Sequence, residues 1–296
     1  MLTNCALKLD VLLFFCLFIL FVSGFRERDD HPIDNIQAQS INAYYDQAFE
    51  WREQQINDSA FRYFYLAKDL FLELRDDFGV GKCLVNMGLI MIAHNDFYGA
   101  QEVSLAAIDY FDSSDPDHHH YIATNYNNIG SAAFQLKNYE DAHLFFDKAI
   151  TASNDSKETQ IYLTNKARVY QEMSMYTEAL IIYDQVLDSF SYGSLEYARA
   201  LTNKAVAQSL ADPKNDVTSD LLKALSIRKK ENDLWGLNSS YYHLSDVYRQ
   251  LGSDSAYFYA NKMYEIASQL KSADDRIYAL GKLIQSGPSD KIHRYF

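Results

Sequence analysis

Glycine and proline are scarce in this chain: 11 and 4 among 296 residues, about 5% together where roughly 12% is usual. So few turn-formers exclude a turn-rich β-sandwich, a flexible linker and a collagen-like chain. Cysteine is scarcer, at three, which leaves little room for a disulfide framework. Cations are also outnumbered, with 27 Lys and Arg against 40 Asp and Glu and a formal net charge of −13. That balance disfavours direct binding to nucleic acid or anionic lipid. The main basic cluster, Arg228, Lys229 and Lys230, stands where a helix would be ending, a place that favours cations in any case.

Catalytic and metal signatures are missing too: there is no CxxC, HExxH, GxSxG or GxGxxG. Gly79-Val80-Gly81-Lys82 comes nearest to a phosphate loop, but that motif would need Gly in place of Asp76 and Ser or Thr in place of Cys83. A turn between helices explains those glycines better. His118-His119-His120 could bind a metal with Asp115 and Asp117, yet consecutive residues point in different directions and rarely chelate one ion as a set. The alternative is a solvated link in which Asp115-Pro116-Asp117 opens a helix. Asp76-Asp77 and Asp274-Asp275 read as turn and helix-start residues rather than as acid and base. The chain as it stands is therefore expected to be no enzyme, with no catalytic residue, metal or cofactor.

What the sequence does contain is apolar surface, at 48%, with 23 Tyr, 18 Phe and 2 Trp, ample for a core. The first segment stands apart. Lys8 precedes an unbroken apolar run from Val11 to Val22, followed by Ser23-Gly24 and a charged stretch from Phe25 to Asp30. The run fits the roughly 7 to 15 residues of a signal-peptide core and falls short of the roughly 20 that span a bilayer. A signal peptide at 1–24 and a linker at 25–40 are expected, the alternative being an uncleaved anchor. Export would leave Cys83 as the lone cysteine, inside an apolar helical pattern where a thiol acts as a small hydrophobe.

Self-comparison is the most informative signal. Leu163-Thr164-Asn165-Lys166-Ala167 recurs 38 residues later as Leu201-Thr202-Asn203-Lys204-Ala205. Small residues recur with it, as Ala48/Ala60/Ala67, Gly88/Ala100/Ala107, Gly130/Ala142/Ala149, Ala167/Ala179/Val186, Ala205/Val217/Ala224 and, with one residue deleted, Ser245/Ala256/Met263. Such spacing suits pairs of antiparallel helices that cross closely, small side chains at the crossing and large ones a turn away. Tyr139, Ala142, Phe145, Phe146, Ala149 and Ile150 make one apolar helix face, with Asn138 as its N-cap.

These residues resemble the tetratricopeptide repeat, through Tyr126, Ile129, Gly130, Tyr139, Ala142, Phe146 and Ala149, with similar matches from about Ile41 to Leu270. The resemblance implies an all-α fold, a right-handed α-solenoid of antiparallel helix pairs with about six units and a truncated seventh over 41–296. The anchors 48, 88, 130, 167, 205 and 245 are 37 to 42 residues apart, beyond the family's usual 34, so longer helices are expected. Two departures stand out. Lys166 and Lys204 occupy a position that is normally apolar, so either their stems lie along the core with the ammonium reaching out or the register is off there. Asp212-Pro213-Lys214-Asn215-Asp216 should be a surface loop, since Pro213 cannot sit inside a helix. Ile277 to Ile284 reads as the first helix of a seventh unit, Gly287-Pro288 as its turn, and 289–296 as a second helix cut short; with Ile292, Tyr295 and Phe296 no polar cap, a longer protein is expected.

Two residues before the anchors of units two to five stand Asn86, Asn128, Asn165 and Asn203, with Asp46 and His243 at that place in the first and sixth. In the resembled family this position lies on the concave face, where asparagines clamp the backbone of a bound peptide. A carboxamide, with one acceptor and two donors, matches a peptide group. Lys82, Asn127, Arg168, Arg199 and Arg249 are flanking groove candidates. The alternative is that these asparagines bridge neighbouring units and hold the superhelix. Leader plus repeats resemble the extracytoplasmic sensory region of bacterial two-component sensor kinases, which implies an exported, non-catalytic module, periplasmic or membrane-attached, that binds a protein or extended peptide in its groove. An autonomous exported adaptor, the repeat region of a transcription regulator, and a metal-binding or enzymatic chain remain open.

Overall fold

The structure, a computed structural model, describes residues 35–287, with side chains from 43 onward. The leader at 1–24, most of the linker at 25–40, and the expected last helix at 289–296 with its Pro288 turn lie outside the described residues. Among the described residues, those from 41 onward form one compact unit.

Among the described residues all regular structure is helical. In chain order the helices are α1 (Asn35–Glu53), α2 (Asn57–Glu73), α3 (Asp77–Ala93), α4 (Phe97–Ala107), α5 (His119–Gln135), α6 (Tyr139–Ala152) and α7 (Ser156–Glu172). They continue with α8 (Tyr176–Ser189), α9 (Leu195–Ala211), α10 (Thr218–Lys230), α11 (Leu234–Gln250), α12 (Ser255–Gln269) and α13 (Ala273–Ser286). Six pairs, α1/α2 through α11/α12, pack in sequence, and α13 opens a seventh unit. Each first helix from α3 to α11 has 17 residues, which accounts for the long repeat period.

Local chemistry sets the boundaries. Asp76, Asp96, Asn138, Asp155, Ser194, Asp233 and Ser272 each accept a backbone N–H from the first turn of the following helix, caps worth about 1 kcal/mol apiece. Several of these caps also end the helix before. Asn138 N–H donates to Ala133 O across 2.9 Å, Asp76 N–H to Phe71 O and Asp96 N–H to Met91 O likewise. Such closures need a left-handed residue just before the cap. Gln55, Arg75, Asn95, Lys137, Ser174, Asn232 and Lys271 fill that place, with φ between 54° and 62°. The shortage of glycine therefore does not mean a shortage of left-handed turns: non-glycine residues adopt them at a cost of about 1 kcal/mol each.

Gly252, with φ of 65°, takes the same place between α11 and α12, but other glycines serve a different purpose. Gly79 and Gly81 do not form a turn between units, and neither does Gly236: the first two lie inside α3 and the third inside α11. A Cβ on Gly79 would come within 2.3 Å of the Phe71 ring, and one on Gly81 within 2.7 Å of the Phe111 ring. They are sites of close approach between helices. Asp212 to Val217 is the expected loop, between the end of α9 and the start of α10.

Every residue of the six small-residue triples is buried. Phe64, Phe146 and Tyr183 fill the space between helices of a pair and are fully buried, each worth about 2 to 3 kcal/mol. Cys83 is buried in the N-terminal core that includes Phe64, and burial pushes its thiol up to about 12, so it is inert as a nucleophile. Lys166 and Lys204 keep the expected register: their stems cross to the preceding second helix, where Nζ meets Asp147 Oδ1 at 2.6 Å and Asp184 Oδ1 at 2.5 Å.

Candidate binding groove

The ladder asparagines have one structural position and two environments. Asn86 and Asn128 are 3% and 0% exposed. Asn86 Oδ1 accepts from Arg52 of α1, and its Nδ2 donates to Lys82 O one turn back at 2.8 Å. Asn128 Nδ2 donates to Val85 O of α3 at 3.0 Å. Both tie first helices of neighbouring units together, out of reach of a ligand. Asn165 is half-buried and donates to Asn127 Oδ1 at 2.8 Å, joining α7 to α5. Asn203 is half-buried and has no partner among the described residues.

The difference follows the spacing of the first helices. α3 and α5 pack closely, whereas α7 touches α9, and α9 touches α11, only sparsely. Where they diverge a cavity of about 560 Å³ opens. It brings together five of the ten residues singled out by sequence: Asn165, Arg168, Arg199, Asn203 and His243. Asn86, Asn127, Asn128, Lys82 and Arg249 do not reach it. Lys82 Nζ lies 4.9 Å from the centre of the Phe78 ring and 5.1 Å from that of Tyr45, a cation held by aromatic faces. Arg249 is exposed and pairs with Asp246 at 3.6 Å.

Other lining groups lay outside the sequence reading. Arg228, from the last turn of α10, is 4% exposed, and its Nη1 donates to Ser240 Oγ at 2.6 Å. The basic triplet does end a helix as expected, but its first member faces inward. Burial pushes the Arg228 guanidinium down to about 10; Asp233 partly offsets this and Arg199 adds to it. The sequence signal was there: Leu221, Ala224, Leu225 and Arg228 are the buried stripe of α10, at helical spacing. Gln171 Oε1 is buried at the wall without a donor, and Trp235 stands at the opening, 53% exposed. Glu172 and Asp233 are the carboxylates of the lining. Burial lowers the His243 imidazole to about 4, with Arg228 and Lys282 acting in the same direction against Asp246, so it is neutral at neutral pH.

The three consecutive histidines diverge. His118 stacks on Phe78 with ring centres 4.0 Å apart, His119 meets Asn154 at 2.7 Å, and His120 pairs with Glu158 at 2.7 Å. Asp115 opens the short turn Pro116–His118 ahead of α5 by accepting from Asp117 N–H.

Residues 123–156, the third unit from within α5 to the start of α7, match the family model described as tetratricopeptide repeat. No curated protein matches the chain in sequence. Among solved structures the chain is similar to the apo form of RapI, with 13% identity and a TM-score of 0.62 over 86% of this chain and 98% of that one. It is similar to a Rap protein complexed with competence and sporulation factor, with 11% identity and a TM-score of 0.60 over 87% and 76%. A tetratricopeptide repeat protein from Parabacteroides merdae shares the fold at 14% identity and a TM-score of 0.53 over 87% and 97%. With the family model on one helix pair and the same fold traced along most of the chain, this protein has an all-α solenoid fold like that of tetratricopeptide-repeat proteins.

Proposed function

We propose that the chain is a non-catalytic scaffold that holds an extended peptide, or an extended segment of a partner protein, in the groove between α7, α9 and α11. The observation that carries this reading is the cavity itself, lined on successive first helices by polar groups that the protein leaves unused. Asn203 has no partner among the described residues, and Gln171 Oε1 is buried without a donor. A peptide group offers one donor and one acceptor, which these carboxamides complement. The complex of a Rap protein with competence and sporulation factor supports a binding role for a fold of this kind. Replacing Asn203 and Gln171 together with Ala should abolish capture of ligand from an envelope extract. The melting temperature should move by less than about 3 °C, since neither side chain is bonded to the protein. Undiminished capture would sink the groove reading.

The sensory role follows as a proposal from the leader at 1–24: the array works outside the cytoplasm, in the periplasm or attached to the membrane, as the ligand-binding part of a signal-transduction protein. Among the described residues no helix is long and apolar enough to cross a membrane. N-terminal sequencing of the chain from an envelope fraction should begin at Phe25. A chain starting at Met1 in the cytosolic fraction would rule out export.

A further inference from the structure

We infer that the groove selects an acidic segment, and that Arg228, with Arg199 beside it, is the anchor for a carboxylate or phosphate group carried by the bound peptide. The inference rests on the groove reading and adds the ligand's chemistry to it.

Arg228 is a cation taken out of water, 4% exposed. Its hydrogen bond goes to a neutral hydroxyl, that of Ser240, and no carboxylate comes within ion-pair distance of it among the described residues. A buried guanidinium without a counter-charge is strongly disfavoured, and it keeps most of its five donors free. Asp233, the carboxylate nearest in effect, is already engaged as the cap of α11, accepting from Gly236 N–H at 2.9 Å. Arg199 lines the same cavity, exposed and without an ion pair among the described residues, and adds repulsion rather than relief. Arg168 also lines the cavity, its guanidinium 4.8 Å from the centre of the Phe134 ring.

The lining thus carries three guanidiniums against two carboxylates, with a neutral imidazole, in a chain of net charge −13. An oxyanion entering the cavity would meet forked donors already in place, the arrangement that favours bidentate pairing. The anchoring cation sits on a second helix, at the end of α10, so this is not a property of the first-helix ladder.

Trp235 reports on the cavity. The chain has two tryptophans, so in a Trp51→Phe background the emission is that of Trp235 alone. Hexaglutamate, hexaglutamine and inorganic phosphate are titrated against the full chain. Hexaglutamate should bind saturably and about tenfold or more tighter than hexaglutamine, with high salt weakening it. Arg199→Gln should remove most of that preference; Arg228→Gln should do the same if it folds, but Arg199, being exposed, carries the test. Displacement of hexaglutamate by phosphate would support the oxyanion site, and phosphate binding the tighter of the two would make a phosphorylated segment the better ligand. Equal binding of both peptides, unchanged by Arg199→Gln, would overturn the charge inference and leave the groove reading standing. Phosphate binding without either peptide would keep the anion site and overturn the groove. No binding of any probe would overturn both.

Discussion

Two stretches of the same solenoid use one repeat position in opposite ways. Along α1, α3 and α5 the ladder residues are consumed within the protein, Asn86 by Arg52 of α1 and by Lys82 O of its own helix, and Asn128 by Val85 O where α5 closes on α3. Between α7, α9 and α11 the first helices stand apart, and Asn203 faces a cavity. Glycine is concentrated in the closed stretch: Gly79, Gly81 and Gly88 all lie in α3, each where a methyl group would come within 2.7 Å of a neighbour's side chain, while α11 has one such residue, Gly236, beside Asp233 and Arg228. In the open stretch the corresponding anchors are Ala167 and Ala205. One position can therefore serve packing or recognition, depending on how near the next helix comes.

The sharpest way to break the closed stretch is Gly79→Ala. The new methyl would meet the Phe71 ring at 2.3 to 2.6 Å, and Phe71 is itself 7% exposed and packed in the N-terminal core. We expect a loss of about 3 kcal/mol in urea unfolding, at the upper end for overpacking. A neutral or stabilising result would mean that Phe71 can swing aside and that α2 packs on α3 more loosely than the geometry indicates.

The ladder itself provides the next test. Asn128→Ala removes a buried donor from Val85 O and leaves a void, at a cost of about 2 kcal/mol. Asn203→Ala, with no partner lost, should change stability by less than about 0.5 kcal/mol. Equal effects of the two substitutions would erase the distinction between a packing asparagine and a binding one.

How much of this is legible without the fold differs by feature. The helix pairs, their order and the buried anchors are written in a period of small residues, because each crossing tolerates only small side chains and every unit repeats the crossing. The cap at Asn138, the Pro213 loop and the reach of Lys166 follow from local rules. Gly79 and Gly81 are misread as a turn because glycine is usually punctuation, while most of the true turns carry Lys137, Ser174 and other residues that give no such sign. Arg228 is hidden by a sufficient local explanation: three cations at a helix end satisfy the dipole. The cavity is not legible at all, since it depends on the angle at which successive pairs stack, a property of many contacts and of no single motif. For that reason the sequence joins Asn128 to Asn203, and the structure separates them.

A smaller effect is expected from His243, on the wall of the open stretch. Its unfolded imidazole titrates near the ordinary 6.5 and its folded one near 4. The unfolded chain therefore binds the extra proton first. Stability from the neutral ring is fully present above about pH 6.5 and drains away as pH falls towards 4. Because the ring is half-buried the loss should be about 1 to 2 kcal/mol. Asp246, Arg228 and Lys282 face it and set the remaining balance. Unfolding at pH 7 and pH 4.5, compared between the wild type and His243→Gln, isolates the contribution; an identical acid loss in both would assign it to other groups.

The mildest test reverses the sign of the first. Gly281 lies inside α13, and a Cβ there would meet nothing within 4 Å. In a helix interior Ala is favoured over Gly by up to about 1 kcal/mol, through backbone entropy and without any new contact. Gly281→Ala should therefore stabilise the chain slightly, where Gly79→Ala destabilises it strongly. The same methyl group is thus a probe of helix packing, harmful at Gly79 where α2 closes on α3 and helpful where nothing approaches. If Gly281→Ala instead costs stability, another surface covers α13 in solution, and the seventh unit is packed more like the closed stretch than the open one.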